Sequence, residues 1–197
     1  MKLLYTFLLS IFLVSCSLMQ PKSVRNSNIL TEKEISTITN LIGKEKIARD
    51  VYENFYAQYK NNLFGNIAKR KQKHIDIWKN ILAKQNILVE ENETLAETET
   101  LKNQFLTEGT DEISALKTAV KIEELNFNDI DIVRRNSHKK EILEATKGIE
   151  CSTRNHLLVF YQDLKNKGGK YTHQYISGKQ FNNIVNGNVI SCGLKYD

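Results

Sequence analysis

Four stretches of this chain carry apolar residues at alternating spacings of four and three, and each stripe holds one side chain able to bind a metal. The first stripe is Leu41, Glu45, Ala48, Tyr52 and Phe55; the second is Ile67, Lys71, His74, Trp78 and Ile81. The third is Leu116, Val120, Glu123, Phe127 and Ile130; the fourth is Ile149, Thr153, His156 and Phe160. Side chains on such a stripe face a core, so Glu45, His74, Glu123 and His156 are expected to point inward. A charged group buried without a partner costs several kcal/mol. One polar intrusion per helix therefore implies a single polar layer shared by four helices, which is how a four-helix bundle builds a metal site.

The first residues do not belong to that fold. Lys2 precedes an apolar run over residues 3–14, which is shorter than the ~20 residues a membrane-spanning helix needs. Charge, apolar core and small-residue exit make residues 1–16 a secretory signal. The exit, Leu13-Val14-Ser15-Cys16, resembles the lipobox of bacterial lipoproteins, in which the cysteine becomes the lipidated first residue. The expectation is a lipid on Cys16, a flexible tether over residues 17–30 holding the one proline, and a single domain over residues 31–197. Localisation follows as the bacterial cell envelope, with the membrane as a partner through that lipid and a protein of the envelope as a further one.

A net charge of +5 comes from lysines scattered over helix faces. The densest run, Lys69-Arg70-Lys71 with Lys73, lacks the interleaved aromatics of a nucleic-acid platform, so nucleic acid is not expected as a partner. No phosphate-binding glycine loop, CxxC pair or hydrolase elbow is present. Cys151 and Cys192 leave two alternatives open, a disulfide in an oxidising compartment or two unpaired thiols.

Capping signals divide the chain into helices. Thr31-Glu32-Lys33-Glu34 is a capping box that starts a first helix ending near Tyr59. Asn61-Asn62 breaks it, Phe64-Gly65-Asn66 reads as a turn, and a second helix is expected over residues 67–85. An acidic stretch over residues 86–100 leads to a short helix over residues 101–106, which ends at Gly109. Thr110-Asp111-Glu112 caps a helix that ends near Arg135, and Ser137 caps one that runs to about Lys167. Ser177-Gly178 precedes a last short helix. Two short links and one long one make an all-α, ferritin-like four-helix bundle with one long crossover and a short C-terminal helical tail.

Di-iron carboxylate bundles take one Glu from each of two helices and a Glu-x-x-His from each of the other two. Here Glu45 and Glu123 supply the single glutamates, and His74 and His156 supply both histidines. The two expected glutamate positions hold Lys71 and Thr153. Local words carry a resemblance: residues 45–52 (Glu-Lys-Ile-Ala-Arg-Asp-Val-Tyr), Phe64-Gly65-Asn66-Ile67-Ala68, Ile122-Glu123-Glu124-Leu125, Arg154-Asn155-His156-Leu157 and Tyr171-Thr172. Their order and spacing resemble the DUF2202 family of ferritin-like proteins over residues 31–185. The resemblance implies a ferritin-like bundle of which a metal site is expected, and it brings no defined reaction.

The departures from that family carry as much information. Members usually read Glu-Glu-Glu-Lys where this chain has Gly43-Lys44-Glu45-Lys46, and Ser-Glu-x-x-His where it has Arg70-Lys71-Gln72-Lys73-His74. A ligand has become a cation that faces Glu45 and Glu123. Two readings follow. In the first, the Lys71 ammonium neutralises the carboxylates, no cofactor is bound, and the protein is a non-catalytic structural or interaction module. In the alternative, Glu45, His74, Glu123 and His156 hold one Fe, Mn or Zn ion, and the chain is a metal-binding protein or metal-dependent oxidase. Glu124, about 100° round the helix from Glu123, is expected on the flank. Arg49 and Asp50 are expected as an ion pair, and His138 and His173 as exposed.

Overall fold

Thr31 opens the first helix, α1 (Glu32–Tyr59), through the reciprocal box its sequence predicts: the Thr31 hydroxyl accepts from the Glu34 amide, and the Glu34 carboxylate accepts from the Thr31 amide. The structure, a computed structural model, describes residues 29–89 and 96–193. The expected signal segment, its Cys16, most of the tether and part of the acidic stretch lie outside those residues. No described helix is long and apolar enough to cross a membrane.

Helix α1 ends where Lys60 turns left-handed, and Asn61 then caps α2 (Asn62–Ala83), its side chain accepting from the Leu63 amide at 3.0 Å. Phe64-Gly65-Asn66 is therefore helical rather than the turn its composition predicts. Phe64 is fully buried, with its ring 5.4 Å from both Phe55 and Phe160. Burying a phenylalanine contributes about 1.5–3 kcal/mol, which outweighs the roughly 1 kcal/mol that a helical glycine costs.

Helix α3 (Ala96–Glu108) extends past the expected residues 101–106 at both ends. A Glu99–Lys102 pair at 2.8 Å supports its polar start, and Phe105 is buried. Asp111 caps α4 (Glu112–Asn136), with Ser114 reciprocating. The N-cap of α5 (Lys140–Asn166) is Lys139 rather than Ser137. The Ser137 hydroxyl accepts from the Lys139 amide and donates to Glu34, so it ties the α4–α5 link to the start of α1. Gly168, at φ +79°, ends α5 in a conformation other residues avoid. Ser177 caps α6 (Gly178–Val185). These six helices are the regular elements among the described residues, which contain no strand.

The four long helices form two hairpins, α1–α2 and α4–α5, with α1 beside α4 and α2 beside α5. One apolar cluster joins the end of α1, the starts of α2 and α4 and the end of α5 through Phe55, Phe64, Leu116 and Phe160. A second joins the opposite ends through Ile38, Trp78, Ile130 and Ile142. Contacting long helices therefore run antiparallel, and the chain from α2 to α4 must travel the length of the molecule. Helix α3 lies on that route, with Phe105 in the first cluster. The route closes at Gly109, where a Cβ would sit 2.3 Å from the Phe55 ring. All four stripes are buried as expected except at Phe127, which is half-buried.

The C-terminal segment folds back over α4, and Glu124 holds it there. Its Oε1 accepts from the amides of Gln174, Tyr175 and Ile176 at 2.7, 2.8 and 3.0 Å, and its Oε2 accepts from the Tyr171 hydroxyl. Glu124 is thus fully buried, not on an exposed flank, because the returning tail covers the face that helical geometry alone leaves open. Burial, then the Glu124 carboxylate, pushes the Tyr171 phenol above its ordinary value. Further along, a Cys151–Cys192 disulfide joins the tail to α5 with the Cα atoms 5.5 Å apart. Replacing Glu124 with alanine strands three amides and a hydroxyl. The expected cost is about 2–4 kcal/mol, seen as a lower melting temperature and as early proteolysis within residues 171–193. An unchanged melt and digest would show that the tail is held elsewhere.

Candidate functional site

Between the two apolar clusters the four stripes meet in one layer. Helix α1 supplies Glu45, α2 supplies Lys71 and His74, α4 supplies Glu123, and α5 supplies Thr153 and His156. None of the six is more than 4% exposed. The spacing argument therefore places every one of these side chains correctly as an inward residue.

Lys71 sits between the carboxylates. Its Nζ lies 3.1 Å from Glu45 Oε2 and 2.9 Å from Glu123 Oε2. The contact to Glu123 is a hydrogen bond; the one to Glu45 is an ion pair whose angle makes none. Each histidine turns Nδ1 toward one carboxylate, His74 to Glu45 Oε1 at 3.3 Å and His156 to Glu123 Oε2 at 3.4 Å. The imidazoles stack on each other with centroids 5.7 Å apart.

The charges follow from this geometry. Burial pushes the Glu45 carboxyl up, but Lys71 and then His74 outweigh it and hold the group down at about 2. Burial likewise opposes ionisation of Glu123, and Lys71 and His156 again win, so its pKa is lowered. Lys71 loses hydration on burial, yet the two carboxylates raise its pKa above the ordinary lysine value. Burial drives His156 down to about 4 despite Glu123, so its ring is neutral at pH 7. The layer thus contains two carboxylates, one ammonium and a neutral imidazole, with the His74 ring against Glu45.

Two partners of the layer escape a reading based on ligand types. The Tyr52 hydroxyl donates to Glu123 Oε1 at 2.7 Å, and burial with that carboxylate pushes its pKa well above the ordinary phenol value. Ser152 Oγ lies 3.1 Å from His156 Nε2. Tyr52 lies on the same stripe as Glu45, and Ser152 lies one helical turn before His156. Spacing therefore carried both signals, but a core tyrosine and a helical serine are too common to stand out. Arg49 and Asp50 do pair, at 2.8 Å, and His138 and His173 are exposed.

The residues present do not fit a metal in this arrangement. The Lys71 ammonium already sits between the two carboxylates a metal would share, and a divalent cation beside it meets direct repulsion. Thr153, at the second missing glutamate position, offers a buried hydroxyl with no hydrogen-bond partner in place of a carboxylate. Among the described residues no three His, Cys, Asp or Glu side chains converge as a ligand group.

Comparison with known proteins agrees with the all-helical architecture. The chain is 30% identical over 163 residues to the uncharacterized protein MJ0754 of Methanocaldococcus jannaschii, covering 79% of this chain and 88% of that one. The crystal structure of the hypothetical protein MJ0754 superposes with a TM-score of 0.78 at 29% identity, covering 82% of this chain and 97% of that one. Residues 34–188 match the family described as an uncharacterized protein domain, DUF2202, and with that match spanning most of its length the chain belongs to the DUF2202 family.

Proposed function

We propose that this protein is a ferritin-like four-helix bundle in which a lysine ammonium takes the place of the metals, and that it serves as a non-catalytic structural or interaction module. The observation that carries this reading is Lys71 Nζ within 3.1 Å of a carboxylate oxygen from each of Glu45 and Glu123. The antiparallel hairpins and the long α2-to-α4 route support the ferritin-like part. The raised pKa of Lys71 and the lowered pKa values of both glutamates keep all three groups charged around neutrality, so one ammonium offsets one of the two carboxylate charges without a metal. The signal-like segment and Cys16 support export as a lipoprotein of the bacterial envelope.

Metal analysis of protein purified without a tag tests the central claim. The expected result is less than stoichiometric iron, manganese or zinc. Stoichiometric metal that disappears in both Glu45→Ala and His74→Ala would overturn it in favour of a single-metal protein.

Lys71→Ala removes the cation between two buried carboxylates. Breaking a buried ion pair from one side costs about 3–5 kcal/mol, and the mutant is expected to melt well below wild type at pH 7. Pairing depresses the glutamate pKa values below 4.5, so the stability it contributes is present above that value and is lost as pH falls toward about 2. The gap between wild type and mutant should therefore narrow on acidification. Equal melting temperatures with one pH response would show that the ammonium is not what stabilises the layer. Lys71→Glu restores a Glu-x-x-His pair, and its melting temperature is expected to rise with added Fe(II) or Mn(II) where wild type does not respond.

Lipidation has its own test. Palmitate labelling should mark wild type and miss Cys16→Ala; equal labelling of both would remove the lipid anchor from this account.

A further inference from the structure

A cleft of about 530 Å³ opens between α2 and α5. It meets the polar layer through His156 and its partner Ser152, but Lys71 and the glutamates do not line it, so it is a different space from the one Lys71 fills. Its walls are mixed, with aliphatic side chains on one part and polar ones on the rest. Leu63 and Ile67 line it from α2, Val159 from α5, and Val189 and Ile190 from the tail. Its polar lining includes Ser152, Asn155 and His156. The one formally charged residue lining it is Arg70, and no acid does so.

Two features separate this cleft from an incidental groove. The first concerns the tail. Val189 and Ile190, beyond the last described helix, are large apolar groups that are 60% and 49% exposed. Yet they are held. The Asn155 side chain donates to the Ile190 carbonyl at 2.8 Å and accepts from its amide at 3.2 Å. Arg154 donates to the Asn188 carbonyl at 3.0 Å, and the Cys151–Cys192 disulfide fixes the far end. The tail is thus a built wall that keeps apolar surface facing the opening.

The second feature is Arg70. Of the described arginines, Arg49 pairs with Asp50, Arg134 and Arg135 pair with Asp131, and Arg154 binds the Asn188 carbonyl. Arg70 alone has no ion-pair or hydrogen-bond partner among the described residues. A guanidinium presents a planar fork of donors matched to a carboxylate. Here that fork lies at the edge of a cleft that aliphatic side chains share and no acidic residue lines.

The geometry points to a binding site for a small aliphatic carboxylate, its anionic end on Arg70 and its hydrocarbon body between Val159 and the tail. One unpaired cation beside a run of aliphatic side chains offers an anchor for each end of such a molecule. The site does not rest on the metal-free reading of the Lys71 layer, since neither Lys71 nor a glutamate lines it.

Nuclear magnetic resonance titration of the purified protein, disulfide intact, tests this with octanoate, octylammonium and inorganic phosphate as probes. Octanoate is expected to shift the Asn66, Arg70, Asn155 and Val159 amides saturably, with a Kd below about 1 mM. Octylammonium and phosphate are expected to leave them in place, because one lacks the anion and the other the aliphatic body. Arg70→Gln should weaken octanoate at least fivefold without lowering the melting temperature, since Arg70 is exposed and unpaired. Val159→Trp, which fills the cleft, should abolish the shifts in a protein that still melts cooperatively. The proposal is overturned if octanoate produces no saturable shift, if octylammonium or phosphate binds as tightly, or if either variant binds octanoate like wild type.

Discussion

Lys71 cannot be buried alone. Removing an ammonium from water costs several kcal/mol unless opposite charge and good hydrogen-bond geometry replace the lost hydration. Glu45 and Glu123 provide that charge from two other helices, and they are themselves buried at 2% and 0% exposure. Each of the three groups is tolerable only because the others are present. The cluster therefore fixes the mutual register of α1, α2 and α4 more sharply than apolar packing does, since sliding one helix by a turn would leave a bare charge in the core. Tyr52 extends the same demand, because its hydroxyl must meet Glu123 at the register the ammonium sets.

The two apolar clusters on either side make this polar layer affordable. They keep water away, which strengthens the ion pairs and raises the cost of any unpaired atom in equal measure. The arrangement does not satisfy everything. His74 Nε2, His156 Nδ1 and Thr153 Oγ1 are buried without hydrogen-bond partners. An ammonium has three donors and no accepting capacity to share, so it serves the carboxylates and leaves the imidazoles to find their own contacts. His156 finds Ser152; Nε2 of His74 finds nothing among the described residues.

Much of this was legible in the sequence because helical period is a property of local spacing. Glu45, Lys71, His74, Glu123, Thr153 and His156 fall on stripes by simple counting, and three helix starts follow from Thr31, Asp111 and Ser177. What local spacing cannot carry is a contact made by a distant segment. Glu124 looked like a flank residue because nothing near it in sequence announces that residues 171–176 return to cover it. Phe64-Gly65-Asn66 looked like a turn because glycine's preference is local, whereas the burial of Phe64 against Phe160 is not. Ser137 looked like the α5 cap because its type suits that role; its hydroxyl instead reaches Glu34 across the molecule.

A metal and an ammonium solve the same electrostatic problem with different dependences. A metal holds carboxylates only when it is supplied, and its ligands must be free of protons. The Lys71 ammonium is covalently part of α2, and with its pKa raised and those of both glutamates lowered, all three groups are charged around neutrality. A lysine held between carboxylates ties α1, α2 and α4 together without drawing on a metal supply. The polar layer and the cleft beside Arg70 are neighbours. Helix α5 links the two: Ser152, Asn155, His156 and Val159 lie on one face of it, His156 contacts Glu123, and Asn155 holds the tail that walls the cleft. The charge cluster, by fixing where α2 lies, also fixes the wall of that cleft formed by Leu63, Ile67 and Arg70.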